Sequence, residues 1–399
     1  MACHPICRLL HSQQSADPIR EFAFVNFLRS ACRLRGSTEY GMKDKILAAL
    51  SESGGFLSGQ QLSKMLGVSR TAVWKAIGRL KEEGYEIEAV TNRGYRLVNS
   101  ETADVLNQAE IERRLTTKWA GHPVIYEKET GSTNDDIMRL SEQGAAEGTL
   151  AVASWQTAGK GRRGRTWVSQ EGGNVYMSIL LRPHIPANAA PMSTLIMALA
   201  VYEALEEMYG SGTSAADAPD ENCSGPDAAV PARTAVFGIK WPNDIVVSAD
   251  GGPYKKFVGI LTEMRMEDKE IRDVTIGIGL NLNMDAVEEA FQETATSLSL
   301  ALGHSVNRAA VTAACWNHFE PAYEEFLAAG NLTPLLSRYE KGLVNRGRAV
   351  RILDPKGEFT GVAKGITPEG DLVVSPDDGT EDRMIGTGEI SVRGVMGYV

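Results

Sequence analysis

The hydrophobic positions from Met42 onward repeat with a helical period, in a run that predicts a small helical domain. The apolar face of its first helix consists of Ile46, Leu47 and Leu50. Residues 51–55 are rich in serine and glycine, and they are predicted to end this helix. Ser58 and Gln61 then have the spacing of a capping box, which indicates that a second helix begins there.

A third helix and a β-hairpin are predicted to complete this domain. Gly67 marks a tight turn after the second helix, and Ser69 is placed to cap the third. Residues 85–90 and 94–98 read as two strands around a basic tip at residues 91–93. Helix, turn, helix and hairpin in this order predict a winged helix-turn-helix domain over residues 42–99.

Strands and helices alternate over the long central part of the chain, residues 117–341. Most links between strands are too short for a crossover helix, which predicts an α+β domain on a mixed, largely antiparallel sheet. The predicted strands cover residues 124–127, 149–155, 174–181, 235–240, 245–247, 259–265 and 274–282, and the predicted helices cover 134–143, 191–208 and 308–328.

The remaining segments differ from this pattern. Residues 99–116 are polar and predict a linker helix with little core, and residues 211–234 have the composition of a disordered insertion. Residues 342–399 contain short apolar runs between turn signals, which predict a small all-β barrel. Residues 1–41 lack any pattern. We expect a disordered extension or a stretch upstream of the true start at Met42, with a targeting peptide as the alternative.

The charge distribution separates the predicted domains. The whole chain carries a net charge of −10, which argues against a protein covered with cations for nucleic acid. Residues 42–99 nevertheless contain nine Lys and Arg against six Asp and Glu, a local net charge of +3. This contrast favours a small DNA-facing domain on an acidic body.

The cysteines and the apolar runs indicate the compartment. Five cysteines, an odd number without CxxC spacing, indicate thiols without a framework role in a reducing cytoplasm. No apolar run reaches the roughly 18 residues that a membrane helix needs, and no signal peptide opens the chain. We therefore expect a cytoplasmic protein with no membrane partner. Nor does any side-chain motif indicate a metal site.

The segment with the most chemical information is residues 156–165. It places four cations within six positions among glycines: Lys160, Arg162, Arg163 and Arg165. Glycines let the backbone approach an anion, so we interpret this segment as a phosphate clamp that is mobile when empty and ordered by its ligand. A dinucleotide fingerprint would need a following helix, and none is predicted. A basic surface loop is the alternative interpretation.

Three further segments carry polar groups at the ends of predicted elements. Residues 131–134 (GSTN) open a helix, residues 240–244 (KWPND) put a lysine at a strand end, and residues 277–283 (GIGLNLN) end a strand with two asparagines. Each segment alone also fits a structural interpretation, as a helix cap, a surface lysine or a capped strand end.

Together and in this order, these segments resemble those of biotin–protein ligases. A Lys-x-x-Gly-Ile-Leu-x-Glu segment at residues 256–263 adds a further motif of that family. The upstream winged helix resembles the bifunctional ligase/repressor class of bacteria, and the C-terminal barrel is similar to the SH3-like barrel of the family. The resemblance covers roughly residues 42–399.

The resemblance implies an activity and its partners. It implies ATP-dependent formation of biotinyl-5′-AMP with Mg²⁺, and transfer of biotin to a lysine of the biotin carboxyl carrier protein of acetyl-CoA carboxylase. It also implies a biotin-responsive repressor that binds operator DNA as a homodimer when the adenylate is bound. Two half-sites on DNA would require such a dimer.

The resemblance implies a role for individual residues as well. Catalysis is assigned to Arg162 and Lys240. The implied biotin site consists of Ser132, Thr133, Asn134, Gln156, Lys160, Gly161, Arg162 and Lys240. The implied adenylate site consists of Gly159, Arg163, Arg165, Trp167, Asn281 and Asn283. The candidate DNA contacts are Ser69, Arg70, Thr71, Lys75, Arg79 and Arg93.

One position departs from the family pattern, and several alternatives stay open. Lys160 stands where the commonest family form has arginine, so the charge is kept but a bidentate donor is lost. The alternatives are a ligase with a vestigial DNA-binding head, a biotin-sensing regulator without catalysis, and a lipoate-type ligase. The presence of both Arg162 and Lys240 argues against the regulator. The basic loop and the winged helix argue against the lipoate-type ligase.

Overall fold

The computed structural model describes residues 37–98, 104–210, 233–354, 357–388, 390–394 and 398–399, and the structural statements below refer to these residues. The chain divides into two compact units, residues 1–103 and residues 104–399, which we describe separately. Most of the predicted N-terminal extension and nearly all of the predicted insertion at 211–234 lie outside the described residues.

The first unit has the predicted winged helix-turn-helix arrangement. Its elements are α1 (Ser37–Ser53), α2 (Gly59–Leu66), α3 (Arg70–Glu82), β1 (Ile87–Val90) and β2 (Gly94–Leu97). Helix α1 begins upstream of Met42. The capping box of Ser58 and Gln61 is present at the start of α2, and Ser69 caps α3 through the backbone N–H of Ala72.

The hairpin packs closely against the segment between α1 and α2. Tyr95 and Leu57 exchange two backbone hydrogen bonds of 2.8 Å each. Gly94 has a φ of 106°, and a Cβ at this position would lie 2.2 Å from the carbonyl oxygen of Leu57. Only glycine therefore fits at this close approach, which fixes the hairpin on the helical core.

The prediction of a coreless linker helix over residues 99–116 is wrong for its second part. Only α4 (Gln108–Glu112) is helical, and Val105, Leu106 and Ile111 are buried in the second unit. Asp104 accepts a hydrogen bond of 2.7 Å from the guanidinium of Arg308. The segment is polar overall, and its three apolar side chains become buried only through contacts that form when the second unit folds.

A seven-stranded sheet forms the centre of the second unit. Its strands are β3 (Val124–Thr130), β4 (Leu150–Gln156), β5 (Val175–Leu181), β6 (Ala235–Lys240), β7 (Asp244–Ala249), β8 (Lys255–Glu267) and β9 (Glu270–Leu280). The spatial order is β3-β4-β5-β9-β8-β7-β6. Only β3 and β4 are parallel, so the prediction of a mixed, largely antiparallel sheet is confirmed.

Helices cover this sheet. They are α5 (Thr133–Glu142), α6 (Met192–Tyr209), α7 (Leu298–Leu302), α8 (Arg308–Ala329) and α9 (Leu336–Gly342). Helix α6 is apolar around most of its circumference and is buried along most of its length, packed against α8 and the sheet. Its burial makes α6 the central element of the core on which the sheet rests.

The C-terminal segment forms the predicted all-β domain. Its strands are β10 (Ala349–Leu353), β11 (Phe359–Ile366), β12 (Leu372–Pro376), β13 (Arg383–Ile385) and β14 (Ser391–Gly394), in the antiparallel order β13-β12-β11-β10-β14. The buried Trp241 joins this domain to the central sheet, because its indole N–H donates to the carbonyl oxygen of Gly370 at 3.0 Å.

Cys315 is a free, buried cysteine, and burial raises the pKa of its thiol to about 12. A thiol that stays protonated is a poor nucleophile. Among the described helices, none combines the length and the apolar character that crossing a bilayer requires.

Candidate functional site

Helix α5 begins in a pocket lined by hydroxyl and amide groups. Ser132 is the N-cap residue, yet its hydroxyl makes no capping hydrogen bond, so the interpretation as a simple helix cap is not supported. The backbone N–H of Thr133 donates to Oε1 of Gln156 at 2.8 Å. Because the carbonyl oxygen of Gln156 is used in this way, its amide NH₂ is the group that remains for a ligand.

Asn134 lies at the floor of the same pocket. Its Oδ1 accepts a hydrogen bond of 2.6 Å from the hydroxyl of Ser178, and its Nδ2 donates to Glu263 at 2.6 Å. A Cβ at Gly277 would lie 1.9 Å from Asn134 Oδ1, so the glycine makes room for the amide. Asn134 is therefore held by its protein partners on both sides.

The basic loop follows β4 and lies against the pocket. Lys160 forms a salt bridge with Asp135 in the first turn of α5, and its hydrogen bond to this carboxylate raises the pKa of Lys160. Arg163 has a φ of 61°, a left-handed conformation that bulky residues rarely adopt. Both Arg163 and Arg165 are exposed.

Arg162 turns inward from this loop and joins two domains. Its guanidinium donates to Asn243 Oδ1 at 2.8 Å and to the carbonyl oxygens of Thr387 and Gly388 at 2.6 and 2.5 Å. Burial lowers the pKa of Arg162, against the attraction of Asp244. The side chain therefore connects the basic loop to the turn before β14 of the C-terminal domain.

Trp167 lies flat on the central sheet. A Cβ at Gly279 would lie 2.8 Å from the indole, and one at Gly259 would lie 2.4 Å from it. These two glycines of neighbouring strands thus provide a flat surface for the ring. The indole Nε1 is buried and has no hydrogen-bond partner among the described residues.

Lys240 ends β6 beside a buried carboxylate. Its ammonium lies 3.5 Å from the centroid of the Tyr398 ring. Burial lowers the pKa of Lys240 to about 8, although Asp244 attracts the charged form. Two further cations, Lys256 and Arg393, repel that form.

Asp244 connects this lysine with a second one. Lys256 forms a salt bridge of 2.5 Å with Asp244, and the hydroxyl of Tyr398 donates to the same carboxylate at 2.7 Å. Burial alone would raise the pKa of Asp244, but Lys256 and Lys240 bring it below its ordinary value. The carboxylate is therefore ionised at neutral pH, forms the salt bridge with Lys256 and attracts the ammonium of Lys240.

Two neighbouring cavities result from this arrangement. The first is lined by Ser132, Thr133, Asn134, Gln156, Lys160, Gly161, Arg162, Trp167, Asn243, Lys256, Gly259, Ile260, Leu261, Gly277, Ile278 and Gly279. The second lies on the other side of Trp167 and Lys256, and its walls include Asn281, Phe291 and Tyr398. Most of the residues that the sequence predicted for biotin therefore meet around one cavity.

Five of the predicted site residues line neither cavity: Gly159, Arg163, Arg165, Lys240 and Asn283. Lys240 is not among the lining residues of either described cavity, because Tyr398 covers its ammonium. Asn281 lines the second cavity, and its amide donates to Thr296 O at 3.3 Å. Asn283 lines neither cavity. Its amide donates to Asp104 and to the carbonyl oxygen of Val306 at 2.8 Å each, which indicates a structural role.

The predicted DNA-contacting residues are all solvent-exposed in the first unit. They are Ser69, Arg70, Thr71, Lys75, Arg79 and Arg93. The hydroxyl of Ser69 is used as the helix cap. Arg93 lies at the tip of the hairpin, with its guanidinium 4.2 Å from the centroid of the Phe56 ring.

Several residues in and around the two cavities were not predicted from the sequence. Asn243, Lys256 and Tyr398 contact the ligand pocket or its cations, and Ser178 and Glu263 hold Asn134. Asn243, Lys256 and Glu263 had a signal, since they belong to the motifs at residues 240–244 and 256–263. Trp74 on α3 is 66% exposed, although a tryptophan within an amphipathic helix also fits a core position.

Family models match all three predicted domains. A model described as HTH domain matches residues 43–96, and one described as Biotin/lipoate A/B protein ligase family matches residues 126–281. A third, described as Biotin protein ligase C terminal domain, matches residues 347–393. The described geometry and the sequence therefore indicate the same division of the chain.

Whole-chain relatives have the same combination of domains. The chain is 38% identical to the bifunctional ligase/repressor BirA of Bacillus subtilis (strain 168), across 85% of this chain and 95% of the relative. It is 31% identical to BirA of Escherichia coli (strain K12), across 87% and 96%. A structure of biotin protein ligase from Aquifex aeolicus in complex with biotin and ATP has a TM-score of 0.52 at 29% identity, and it covers 68% of this chain and 98% of that chain. This chain belongs to the bifunctional ligase/repressor family of biotin–protein ligases.

Proposed function

We propose that this chain activates biotin with ATP to biotinyl-5′-AMP and transfers the biotinyl group to a lysine of the biotin carboxyl carrier protein. The observation that carries this proposal is the cavity at α5, where groups that complement a urea lie beside groups that complement anions. Family membership supports the same pair of substrates, since the Aquifex aeolicus ligase binds both biotin and ATP.

The urea ring of biotin would bind at the start of α5. A urea offers one carbonyl acceptor and two N–H donors. The amide NH₂ of Gln156 is free to donate to the carbonyl, while the hydroxyls of Ser132 and Thr133 are placed to meet the ring N–H groups. Gln156 is buried, so a ligand without the urea would leave its NH₂ unpaired at a cost of about 1–3 kcal/mol.

The carboxylate of biotin and the phosphates of ATP would meet at the cations. Arg162 and Lys256 line the first cavity, and Lys240 lies next to Lys256 across Asp244. The adenosine would occupy the second cavity, whose aromatic walls are Trp167, Phe291 and Tyr398. Because the two cavities share Trp167 and Lys256, a single adenylate would extend from one into the other.

The reaction then follows from charge. A carboxylate oxygen of biotin attacks the α-phosphorus, the bond to the β-phosphate oxygen breaks, and pyrophosphate leaves. Arg162 and Lys240 reduce the repulsion between the two anions and stabilise the charge of the transition state. The amine of the acceptor lysine next attacks the biotinyl carbonyl, a proton is lost from nitrogen, and AMP leaves. An ordered basic loop would exclude water from the reactive anhydride between these steps.

Mg²⁺ is expected to enter with the phosphates of ATP. Among the described residues, no group of three or more His, Cys, Asp and Glu side chains is placed to hold a metal ion. Bound with ATP, Mg²⁺ would neutralise part of the phosphate charge.

One assay tests the ligase activity directly. The full chain is incubated with biotin, ATP, Mg²⁺ and a biotin carrier domain, and the carrier is then weighed by mass spectrometry. We expect the mass of the carrier to rise by one biotinyl group, and only when ATP is present. Binding of biotin without any change in carrier mass would instead support a sensor without catalysis.

The pH dependence of adenylate formation should reflect the protonation state of Lys240. Because the pKa of Lys240 is lowered to about 8, its ammonium is present below that pH and is lost as the pH rises through it. We expect kcat/KM for adenylate formation to fall on the alkaline side of about pH 8. In Lys240→Arg this fall should disappear, since a guanidinium stays charged. If kcat/KM fell in the same way at alkaline pH in the unaltered protein and in Lys240→Arg, this assignment would be contradicted.

The winged helix supports a second part of the proposal, a biotin-responsive repressor. Two half-sites on operator DNA would require a homodimer, which we propose forms when the adenylate is bound. The compartment would be the cytoplasm, where both the carrier protein and the operator are present. Footprinting with and without biotinyl-5′-AMP tests this. Protection of two half-sites is expected with the adenylate, whereas an active ligase without protection would indicate a vestigial head.

Substitutions in α3 should weaken DNA binding through the phosphates. Arg70 and Lys75 are both exposed on this helix. For Arg70→Ala or Lys75→Ala we expect weaker binding and a plot of log affinity against log salt that is less steep by about one unit for each lost phosphate contact. Lys45→Ala, an exposed cation on α1, is the matched control. Equal salt slopes in all four proteins would remove both residues from the interface.

A further inference from the structure

Glu263 is a half-buried carboxylate on β8 that is not among the lining residues of the first cavity. Its Oε2 accepts a hydrogen bond of 2.6 Å from Asn134 Nδ2. An ionised carboxylate only accepts hydrogen bonds. The amide nitrogen of Asn134 must therefore face Glu263, and the amide oxygen must face away from it.

This orientation determines the direction of the next hydrogen bond. Asn134 Oδ1 faces Ser178, whose hydroxyl donates to it at 2.6 Å. A serine hydroxyl has a single proton, so Ser178 has none left to donate elsewhere. Gly277 keeps the amide in place from the side, because any Cβ there would overlap Asn134 Oδ1.

The direction continues to Thr133. Its Oγ1 lies 2.7 Å from Ser178 Oγ and 3.1 Å from Gln156 Oε1. Because the proton of Ser178 is already used, the proton of Thr133 is donated to Ser178 Oγ or to Gln156 Oε1, both of which are protein acceptors. Thr133 then presents only lone pairs to the cavity. Gln156, whose oxygen accepts the backbone N–H of Thr133, presents its NH₂.

We propose that Glu263 is a positioning residue that sets the direction of this hydrogen-bond chain and so matches the pocket to the donors of a cyclic urea. The proposal rests on the proposed function, since it concerns how the same site binds biotin. In this chain Asn134 transmits the orientation, Thr133 is the acceptor for a urea N–H, and Gln156 is the donor for the urea carbonyl. Without the carboxylate, the Asn134 amide can turn over and the Ser178 proton can point to Thr133 Oγ1, which removes one of the two protein acceptors that keep the Thr133 proton away from the ligand.

The first test replaces the carboxylate and measures biotin affinity by calorimetry. We expect Glu263→Leu to raise the Kd for biotin roughly 10- to 100-fold, the range for losing a hydrogen bond that involves a charged group. The KM for ATP should stay unchanged, as should kcat at saturating biotin, because the phosphate cations are not touched. Glu263→Gln retains an acceptor oxygen and should recover most of the affinity. Glu267→Leu, at the exposed end of the same strand, is the matched control.

A double-mutant cycle separates positioning from general stability. If Glu263 acts through Ser178, its replacement should cost little further affinity in a Ser178→Ala background, so that the two effects are strongly non-additive. Additive effects, or an unchanged Kd in both Glu263 variants, would overturn the proposal. Failure of the unaltered protein to bind biotin would instead overturn the proposed function, so the two outcomes are distinguishable.

Discussion

Lys240→Met is expected to lower the rate of adenylate formation roughly 100- to 1,000-fold, the range for removing one group that stabilises transition-state charge. The ammonium of Lys240 lies beside Lys256 and Asp244 at the end of β6. Its loss leaves the carboxylate of biotin and the triphosphate with fewer cations to offset their repulsion. Methionine keeps the length of the side chain, so the lost charge is the main change.

The measurement is biotin-dependent exchange of pyrophosphate into ATP, which reports adenylation alone. Transfer from added biotinyl-5′-AMP to the carrier should be less affected, because the phosphorus chemistry is complete by then. Lys240→Arg keeps the charge and should recover part of the rate. Lys128→Met, which removes an exposed cation on β3, is the control. Asp244 keeps Lys256 and Tyr398 as partners, so the variant should fold. An unchanged exchange rate would exclude Lys240 from the site.

Arg162→Ala is expected to release the reactive adenylate roughly 10- to 100-fold faster, because hydrogen bonds to a charged group contribute about 1.5–3 kcal/mol. The guanidinium is the described link from the basic loop to Thr387 and Gly388 of the C-terminal domain. Without it, the loop loses its contact across the cavity. Water and other amines then reach the mixed anhydride.

Two measurements follow the escaped intermediate. The first is the lifetime of biotinyl-5′-AMP on the enzyme after removal of free substrates. The second is biotinylation of an unrelated lysine-rich protein, which should appear with Arg162→Ala and not with the unaltered chain. Arg351→Ala removes an arginine from an exposed pair with Glu358 in the same C-terminal domain and serves as control. An unchanged lifetime would show that the adenylate is retained by other contacts.

Much of the fold was predictable because its signals are local. The capping box of Ser58 and Gln61, the cap at Ser69 and the hairpin around residues 91–93 depend on neighbours within a few positions. The strands of the sheet were recognisable from short apolar runs. Residues 104–116 were misjudged, because the burial of Leu106 and Ile111 depends on packing against distant elements of the second unit.

Some residues of the candidate site were likewise predictable from the sequence, and others were not. Segments such as GSTN and KWPND were recognisable from residue type and order. Their partners were not, since Asn134 meets Glu263 from a position 129 residues away and Ser178 from one 44 residues away. Tyr398 reaches Asp244 across 154 residues. No periodicity or spacing in a single sequence encodes such pairs.

The sequence by itself determined which chemistry this protein carries: a basic glycine loop, a lysine at a strand end, polar groups at a helix start and a winged helix. These features depend on residue types and short spacings, so they can be recognised without the tertiary structure. Only the tertiary structure decided how these groups are used. It turned Arg162 toward the C-terminal domain, covered Lys240 with Tyr398 and placed Glu263 behind Asn134. Those contacts arise from the order of strands in the sheet, which brings distant residues together when the apolar core closes.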